Sequence, residues 1–338
     1  MKNRRKQGQF YLGVDIGGTK MQASLAKRSG KLLNRQRMAT PRGVGPKAII
    51  AAVEKLIDKA LAKPEKVRAG ELTAIGVAVP GVVDPDSGHV IVTPNMNLSG
   101  VSLGPRLQAR YRVPVVLGND CNLGTLGEAW LGAAKNARSA VGIFVGTGIG
   151  AGFVRNGKLW RGARQSACEI GHIVMQIGGP RCGCGNQGCL EALASRTAIE
   201  TQLRQAVAAG QKTVLTKLVG RKFRVIRSSQ LARALKLKDE LATEVMRRAA
   251  EVLGHACLTV RHLIDPEVIV LGGGVIKACG DFVLPIVEKI VASDQLRGAR
   301  EGGNVVLSAL GDDAVVIGAV ALARKALRRK AAKKNSSR

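Results

Sequence analysis

The chain has 338 residues, 46% of them apolar but only 3% aromatic, and a formal net charge of +29. That length supports one large or two ordinary domains, with a core built mostly from Val, Ile, Leu and Ala. No apolar run reaches the ~18–20 residues that span a bilayer, which excludes a membrane-spanning helix.

The start, MKNRRKQGQFYLGVDIGG, is basic but lacks the apolar stretch and cleavage site of a signal peptide. A soluble, cytoplasmic protein without a membrane partner is expected, and clustered cysteines there are more often metal ligands than disulfides. The charge invites a polyanionic partner, but its distribution weakens that reading. Residues 1–8 contribute four positive charges and 324–338 contribute eight, with no acid in either stretch. Both read as solvated tails. RKFRVIR (221–227) reads as a third basic cluster on an exposed face. No nucleic-acid-binding motif is present and aromatic stacking residues are few, so no specific nucleic-acid partner is expected.

In chain order, FYLGVD (10–15) is a short apolar strand ending in an acid, followed by IGGTK and a second strand, MQASLA. The turn KRSGK (27–31) leads to a third strand. PKAIIAAVEKLIDKALAKP (46–64) is an amphipathic helix with the stripe Ile49, Ile50, Val53, Leu56, Ile57 and Leu61 and a proline at each boundary. ELTAIGVAVPG (71–81) and VPVVLGND (113–120) read as strands, with a helix near 122–136. Around 140 the first pattern recurs as AVGIFVG, TGIGAG, FV and the turn RNGK. This repetition of a strand, a Gly/Thr-rich turn and a strand points to an internal duplication. Residues 243–264 read as a helix, PEVIVLGGGV (266–275) as a strand entering a glycine turn, and a last helix follows 313 before a charged end. The order is mixed α/β with two similar halves.

Glycine turns let backbone N–H groups reach phosphates without side chains in the way. DIGGTK is not the strand–loop–helix P-loop, because strands flank it on both sides. One such turn is an ordinary hairpin; two on duplicated hairpins, with LGGG ending a later strand, argue for phosphate binding. Asp15, beside the first turn, could hold Mg²⁺ through water. Asn119-Asp120 ends an apolar strand where a helix begins, a position that suits an N-cap or a ligand-facing acid.

GHIVMQIGGPRCGCGNQGCLE (171–191) holds three of the seven cysteines. His172, Cys182, Cys184 and Cys189 follow H-x9-C-x-C-x4-C, a donor set for a closed tetrahedral Zn²⁺ site. Cys182 and Cys184 are too close in sequence for easy bridging. Gly183, Gly185 and Gly188 would let the loop wrap tightly. Glu169 and Glu191 flank the cluster as either ligand-binding or ordinary surface acids.

GVDIGGTK, VGTGIGAGF and VIVLGGGV resemble the first phosphate, second phosphate and adenosine motifs of the actin/sugar-kinase ATPase fold, and 168–191 resembles the signature of the ROK family of bacterial sugar kinases and repressors. The resemblance runs from about 11 to about 322. It implies an α/β, two-lobed actin-like ATPase (ribonuclease H-like) fold with duplicated β-hairpin/αβ halves and a zinc loop. The expected division is a small domain over 1–125 completed by a helix over 315–330, a large domain over 126–314, and a basic tail over 331–338, with closure of the cleft between the lobes excluding water.

The implied activity is ATP-dependent phosphorylation of a hexose, most directly glucose to glucose 6-phosphate, with fructose, mannose or N-acetylhexosamine as alternatives. Asp120 matches the catalytic base; Pro80, Gly81, Asn97, Asn119, Glu169, His172 and Glu191 match sugar-side positions. Asp15, Gly17, Gly18, Thr19, Lys20, Gly146, Thr147, Gly148, Gly150, Gly273 and Gly274 match the ATP side. The implied cofactors are Mg²⁺ and a structural Zn²⁺, and the implied assembly is a homodimer or homotetramer. ROK repressors place a winged-helix segment first, whereas the phosphate hairpin here begins at 11, so a sugar-sensing repressor is the weaker expectation. A polyphosphate-using kinase would suit the charge, but that group typically lacks the Cys loop. Two departures from the family, Val101 after N-L-S-G and Cys121 after the base, leave the sugar open.

Overall fold

Two sheets with the same internal order organise the chain. The computed structural model describes residues 10–62, 72–94, 96–220, 223, 225–296 and 304–336, the last nine by backbone alone. The first sheet contains β1 (Phe10–Ile16), β2 (Lys20–Lys27), β3 (Leu32–Ala39), β4 (Leu72–Val79) and β7 (Val115–Asn119) in the order β3-β2-β1-β4-β7. A small ribbon, β5 (Val82–Asp84) with β6 (His89–Val92), follows β4. The second sheet carries β8 (Ser139–Val145), β9 (Ile149–Arg155), β11 (Val268–Gly272) and β12 (Asn304–Leu307) in the order β9-β8-β11-β12; the two-residue β10 (Lys158–Leu159) lies between them in sequence. β1–β2 and β8–β9 are antiparallel hairpins; β4 and β11 add in parallel to β1 and β8. The duplication read from the sequence is therefore a duplication of topology.

The central strands β1 and β4 are nearly continuous apolar runs because helices cover both faces of the first sheet, whereas the edge strand β3 alternates half-buried and exposed residues. Alternation sorts the side chains. Leu12, Val14 and Ile16 share a core with Ile49, Val53, Leu56 and Ile57 of α1 (Pro46–Leu61), whereas Tyr11 shares one with Val320 and Ala323 of the C-terminal helix. Call the later helices α2 (Leu103–Tyr111), α3 (Asp120–Leu131), α4 (Leu190–Ala194), α5 (Arg196–Ala208), α6 (Leu215–Val219), α7 (Ser228–Lys236), α8 (Glu240–Ile264), α9 (Gly273–Ala292) and α10 (Ala314–Ser336). Glycines let α10 press onto its neighbours: a Cβ on Gly76 would sit 2.0 Å from the Ala319 carbonyl oxygen, and one on Gly318 would sit 1.7 Å from that of Leu123. No side chain larger than hydrogen fits those approaches.

The chain divides into two compact units. One runs to Lys135 and includes Lys158–Ala167 and everything from Asp312; the other holds Asn136–Gly157 and Cys168–Gly311. The first unit thus extends past the division expected at 125. That position falls inside α3, which packs along α10 with Gly127 against the Ala314 carbonyl, so it cannot be split there. Likewise α10 runs through the stretch 331–336 read as a tail, a segment of Ala and Lys with no Gly or Pro to stop it. The basic starts and ends at 1–8 and 337–338 lie outside the described residues.

In the second unit, α5 to α7 fill a stretch the sequence left unread, and RKFRVIR is not simply an exposed face. Phe223 and Ile226 are buried in the same core as Val141, Ile143 and Leu253, while Arg221, Lys222 and Arg224 lie outside the described residues. Among the described residues, no helix is long and apolar enough to cross a membrane.

Candidate functional site

The first glycine turn joins β1 to β2. Gly17 N–H donates to the Lys20 carbonyl at 3.1 Å, and a Cβ on Gly17 would stand 2.7 Å from that oxygen. Thr40, just beyond β3, braces the turn: its hydroxyl donates to the Gly17 carbonyl and its N–H to the Thr19 carbonyl at 3.0 Å. Because the peptide bonds of the described residues are trans, the Gly18 N–H points opposite to the Gly17 carbonyl and so away from Thr40.

Two carboxylates stand beside this turn. Asp15 comes from the end of β1; Asp120 is the first residue of α3, whose N-cap is Asn119 accepting from the Asn122 N–H at 3.0 Å. Desolvation, then the negative charges of Asp120 and Asp312 against the relief given by Lys20, pushes Asp15 up to about 7. Desolvation also raises Asp120, opposed by the Cys121 N–H that donates to its Oδ1 at 2.9 Å. Asn119 therefore does what an N-cap does and holds Asp120 at a helix start as well, so capping does not exclude a ligand-facing role. Its Nδ2 donates to the Gly81 carbonyl at 3.0 Å, which joins the Pro80-Gly81 turn to the start of α3. Gly81 has φ +96° and a Cβ there would lie 2.2 Å from the Val92 carbonyl, so glycine is required. Asn97 is not tied to this group; its amide donates to the Val44 carbonyl at 2.9 Å.

Sequence reasoning missed the acids at the start of α10. Asp312 faces Lys20 and Arg37, each at 3.7 Å, and Asp313 accepts from Gln22 at 3.0 Å and pairs with Arg35. The partners are nearly three hundred residues apart in sequence, so no local spacing signals the contact.

In the second unit the turn Gly146-Thr147-Gly148 joins β8 to β9, closed by Gly146 N–H to the Gly148 carbonyl at 2.9 Å. The start of α5 grips it: Arg196 N–H donates to the Gly146 carbonyl at 2.9 Å and the Thr197 hydroxyl to the Thr147 carbonyl at 2.8 Å. Since trans peptides oppose their C=O and N–H, the N–H groups of Thr147 and Gly148 both point away from α5, an arrangement suited to an anion. Gly150 lies within β9. Gly273 opens α9 at φ +87°, where a Cβ would meet the Val145 carbonyl at 2.4 Å; Gly274 follows in its first turn. The triple glycine is thus brought against the strand that enters the second turn.

The loop of 172–189 gathers His172, Cys182, Cys184 and Cys189 so that one donor atom of each lies within 4.8 Å of the others. Cys182 Sγ is 3.7 Å from His172 Nδ1, and Cys184 Sγ is 3.8 Å from Cys189 Sγ. A tetrahedron with bonds of about 2.3 Å has edges of about 3.8 Å, so the set fits zinc, whereas a disulfide needs sulfurs about 2.05 Å apart. None of the seven cysteines is paired in a disulfide. Burial pushes the Cys182 and Cys189 thiols up, the situation a bound cation reverses by taking thiolates. Gly185 (φ +97°) and Gly188 (φ +72°) are needed for the wrap; Gly183 is not, having an ordinary φ and open space around its Cα.

Glu191 begins α4 immediately after this loop and reaches the second turn. Its Oε2 accepts from the Ile149 N–H at 2.8 Å, and a Cβ on Gly148 would sit 2.2 Å from the same oxygen. Its Oε1 lies 4.0 Å from Cys182 Sγ. Glu169 is exposed at the start of the short 3-10 turn that carries His172.

Paired glycine turns on duplicated hairpins, with acids beside one and a third glycine turn beside the other, define the actin-like ATPase fold. The ROK family model matches residues 11–326, and the chain belongs to that family. It is 33% identical over 311 residues to a glucokinase of Halalkalibacterium halodurans, covering 92% of this chain and 93% of the relative. A crystal structure of a ROK family glucokinase from Streptomyces griseus in complex with glucose and AMPPNP superposes with a TM-score of 0.82 at 30% identity, over 94% of this chain and 99% of that one. The N-acetylglucosamine repressor of Escherichia coli is 31% identical, covering 94% of this chain and 75% of the repressor.

Proposed function

We propose that this protein is an ATP-dependent sugar kinase that phosphorylates a hexose, with glucose as the preferred acceptor. Fructose, mannose and N-acetylhexosamine are the alternatives. The observation that carries the reading is Asp120: a carboxylate raised by desolvation at a helix start, beside Asp15 and the first glycine turn. A base with a raised pKa accepts the proton of an attacking hydroxyl more readily than an ordinary surface acid. Phosphoryl transfer otherwise needs positioning and charge neutralisation, which outward N–H groups of glycine turns and Lys20 supply.

Asp120 would take the hydroxyl proton while Asn119 and the Pro80-Gly81 turn orient the sugar. Glu169, His172 and Glu191 would bind further hydroxyls, and Asn97 is a less supported contributor because its amide is engaged elsewhere. Asp15 would hold the nucleotide's Mg²⁺ through water; when bound, that ion neutralises phosphate oxygens. The burial that raises Asp15, with the added repulsion of Asp120 and Asp312, fits this role, since a divalent cation favours the ionised carboxylate. His172, Cys182, Cys184 and Cys189 would hold a structural Zn²⁺, which supplies a cross-link and no open position for chemistry. His172 can serve both roles only through different ring nitrogens.

Relatives at similar identity include both glucokinases and sugar repressors, so the two readings need separating by experiment. A coupled assay over a panel of sugars, with ATP and polyphosphate compared as donors, does so. Sugar-dependent ADP formation with a high kcat/KM for glucose is expected; sugar binding without turnover would support the repressor reading instead.

A further inference from the structure

Each of the two glycine turns carries a threonine, and each threonine is bonded by an arginine that belongs to no glycine motif. In the first unit, Arg42 Nη2 donates to Thr19 Oγ1 at 2.9 Å. In the second, Arg196 Nη2 donates to Thr147 Oγ1 at 2.7 Å. Arg42 sits in the exposed segment after β3, and Arg196 is the first residue of α5. The duplication of the hairpins explains the threonines but not the arginines, which come from unrelated elements.

The chemistry of the pair is specific. A guanidinium has donors and no acceptor, so a threonine hydroxyl that accepts from it is left with its own proton to donate elsewhere. An arginine there both orients the hydroxyl and adds a permanent positive charge. At Thr147 the first N–H groups of α5 are engaged by the turn and not free for a phosphate. The Arg196 N–H, at the start of α5, bonds the Gly146 carbonyl, and the Thr197 N–H faces the Thr147 carbonyl at 3.4 Å. A full positive charge, beyond the outward N–H groups of Thr147 and Gly148, comes from side chains. Glu200 does not cancel it: one carboxylate accepts from Arg196 at 2.8 Å and Arg204 at 3.0 Å, so the triad keeps one excess positive charge. At Thr19, no acid among the described residues lies within ion-pair distance of Arg42.

We propose that Arg42 and Arg196 are phosphate-binding residues, each at its own glycine turn and each acting with the threonine hydroxyl it orients, and that their charge favours a triphosphate donor over less charged phosphates. The inference rests on the kinase reading above. It adds two residues from outside the glycine motifs and assigns them a role distinct from bracing the turns.

The test is steady-state kinetics and direct titration with MgATP and MgADP for wild type, Arg42→Gln, Arg196→Gln and the corresponding lysine variants. Glutamine keeps a donor for the threonine but loses the charge, which separates phosphate binding from a bracing role. Each glutamine variant is expected to raise the KM and Kd for ATP about tenfold, with a smaller change for ADP, and to leave the sugar KM within about twofold. The lysine variants should recover part of the loss. If Arg196→Gln fails to fold by circular dichroism, Arg196→Lys and Arg42→Gln carry the test. ATP affinities within twofold of wild type in folded glutamine variants overturn the proposal while the kinase reading stands. A wild type that neither turns over nor binds ATP overturns both.

Discussion

The two glycine turns share a backbone device and differ in what braces them. The first is held by a strand-end residue, Thr40, and lies beside Asp15, Asp120 and the ion pairs of Asp312. The second is held by the start of α5 and by Glu191, which leads directly into the His/Cys loop. The outward N–H groups are common to both turns, whereas the supports differ. One turn is placed with carboxylates that can take a proton or hold a cation. The other is coupled to the His/Cys loop, so its order should depend on that loop.

Removing the carboxylate on the first side should have the largest effect. Asp120→Asn keeps the helix start, since Asn119 supplies the cap, and should lower kcat by roughly 10²–10⁴ or more with sugar affinity retained. Near-native turnover would remove Asp120 from the base role.

The metal loop comes next. Cys184→Ala should lose zinc and most activity, although Cys184 is on the exposed side of the cluster; structural zinc binding is worth on the order of 10 kcal/mol, far more than one hydrogen bond. Elemental analysis beside kinetics checks it. One zinc per wild-type chain, absent from the variant, is the required pair of results.

Glu191→Gln sharpens the link between loop and turn. Its amide oxygen can still accept from Ile149 N–H, so the metal should remain and kcat/KM should fall about tenfold. If Glu191→Gln released the zinc, the carboxylate would be a support of the loop itself and not a bridge from it.

The smallest effect separates the acids of the first side. Asp15 titrates near 7 in the folded chain against 3.8 unfolded, so the stability linked to its proton is fully present below about pH 4 and is lost as pH rises through about 7. Asp15→Asn should therefore melt higher than wild type at about pH 8, with the gap closing below about pH 4, while its activity falls. Equal melting temperatures at both pH values would show that Asp15 is not strained by its neighbours.

What the sequence made legible divides along the same line. Turns, hairpins and the His/Cys spacing are local, and the residues named for them are the ones the fold brings together. The supports are not local. Asp313 meets Gln22 across 291 positions, and Arg196 meets Thr147 across 49. No periodicity encodes such pairs. The same limit misplaced the division at 125, because α3 belongs with α10, a helix from the other end of the chain. Gly183 illustrates the opposite error: a glycine between two ligands looked necessary, yet its backbone is ordinary.

Phosphoryl transfer from ATP to a hexose with Asp120 as the base can be followed directly by ³¹P NMR of wild type with MgATP and glucose. ATP signal should give way to ADP and a sugar phosphate ester in equal amounts, only when sugar is present, with the rate falling as pH drops through the raised pKa of Asp120. Release of inorganic phosphate independent of sugar, or no loss of ATP with any hexose in the panel, would contradict it.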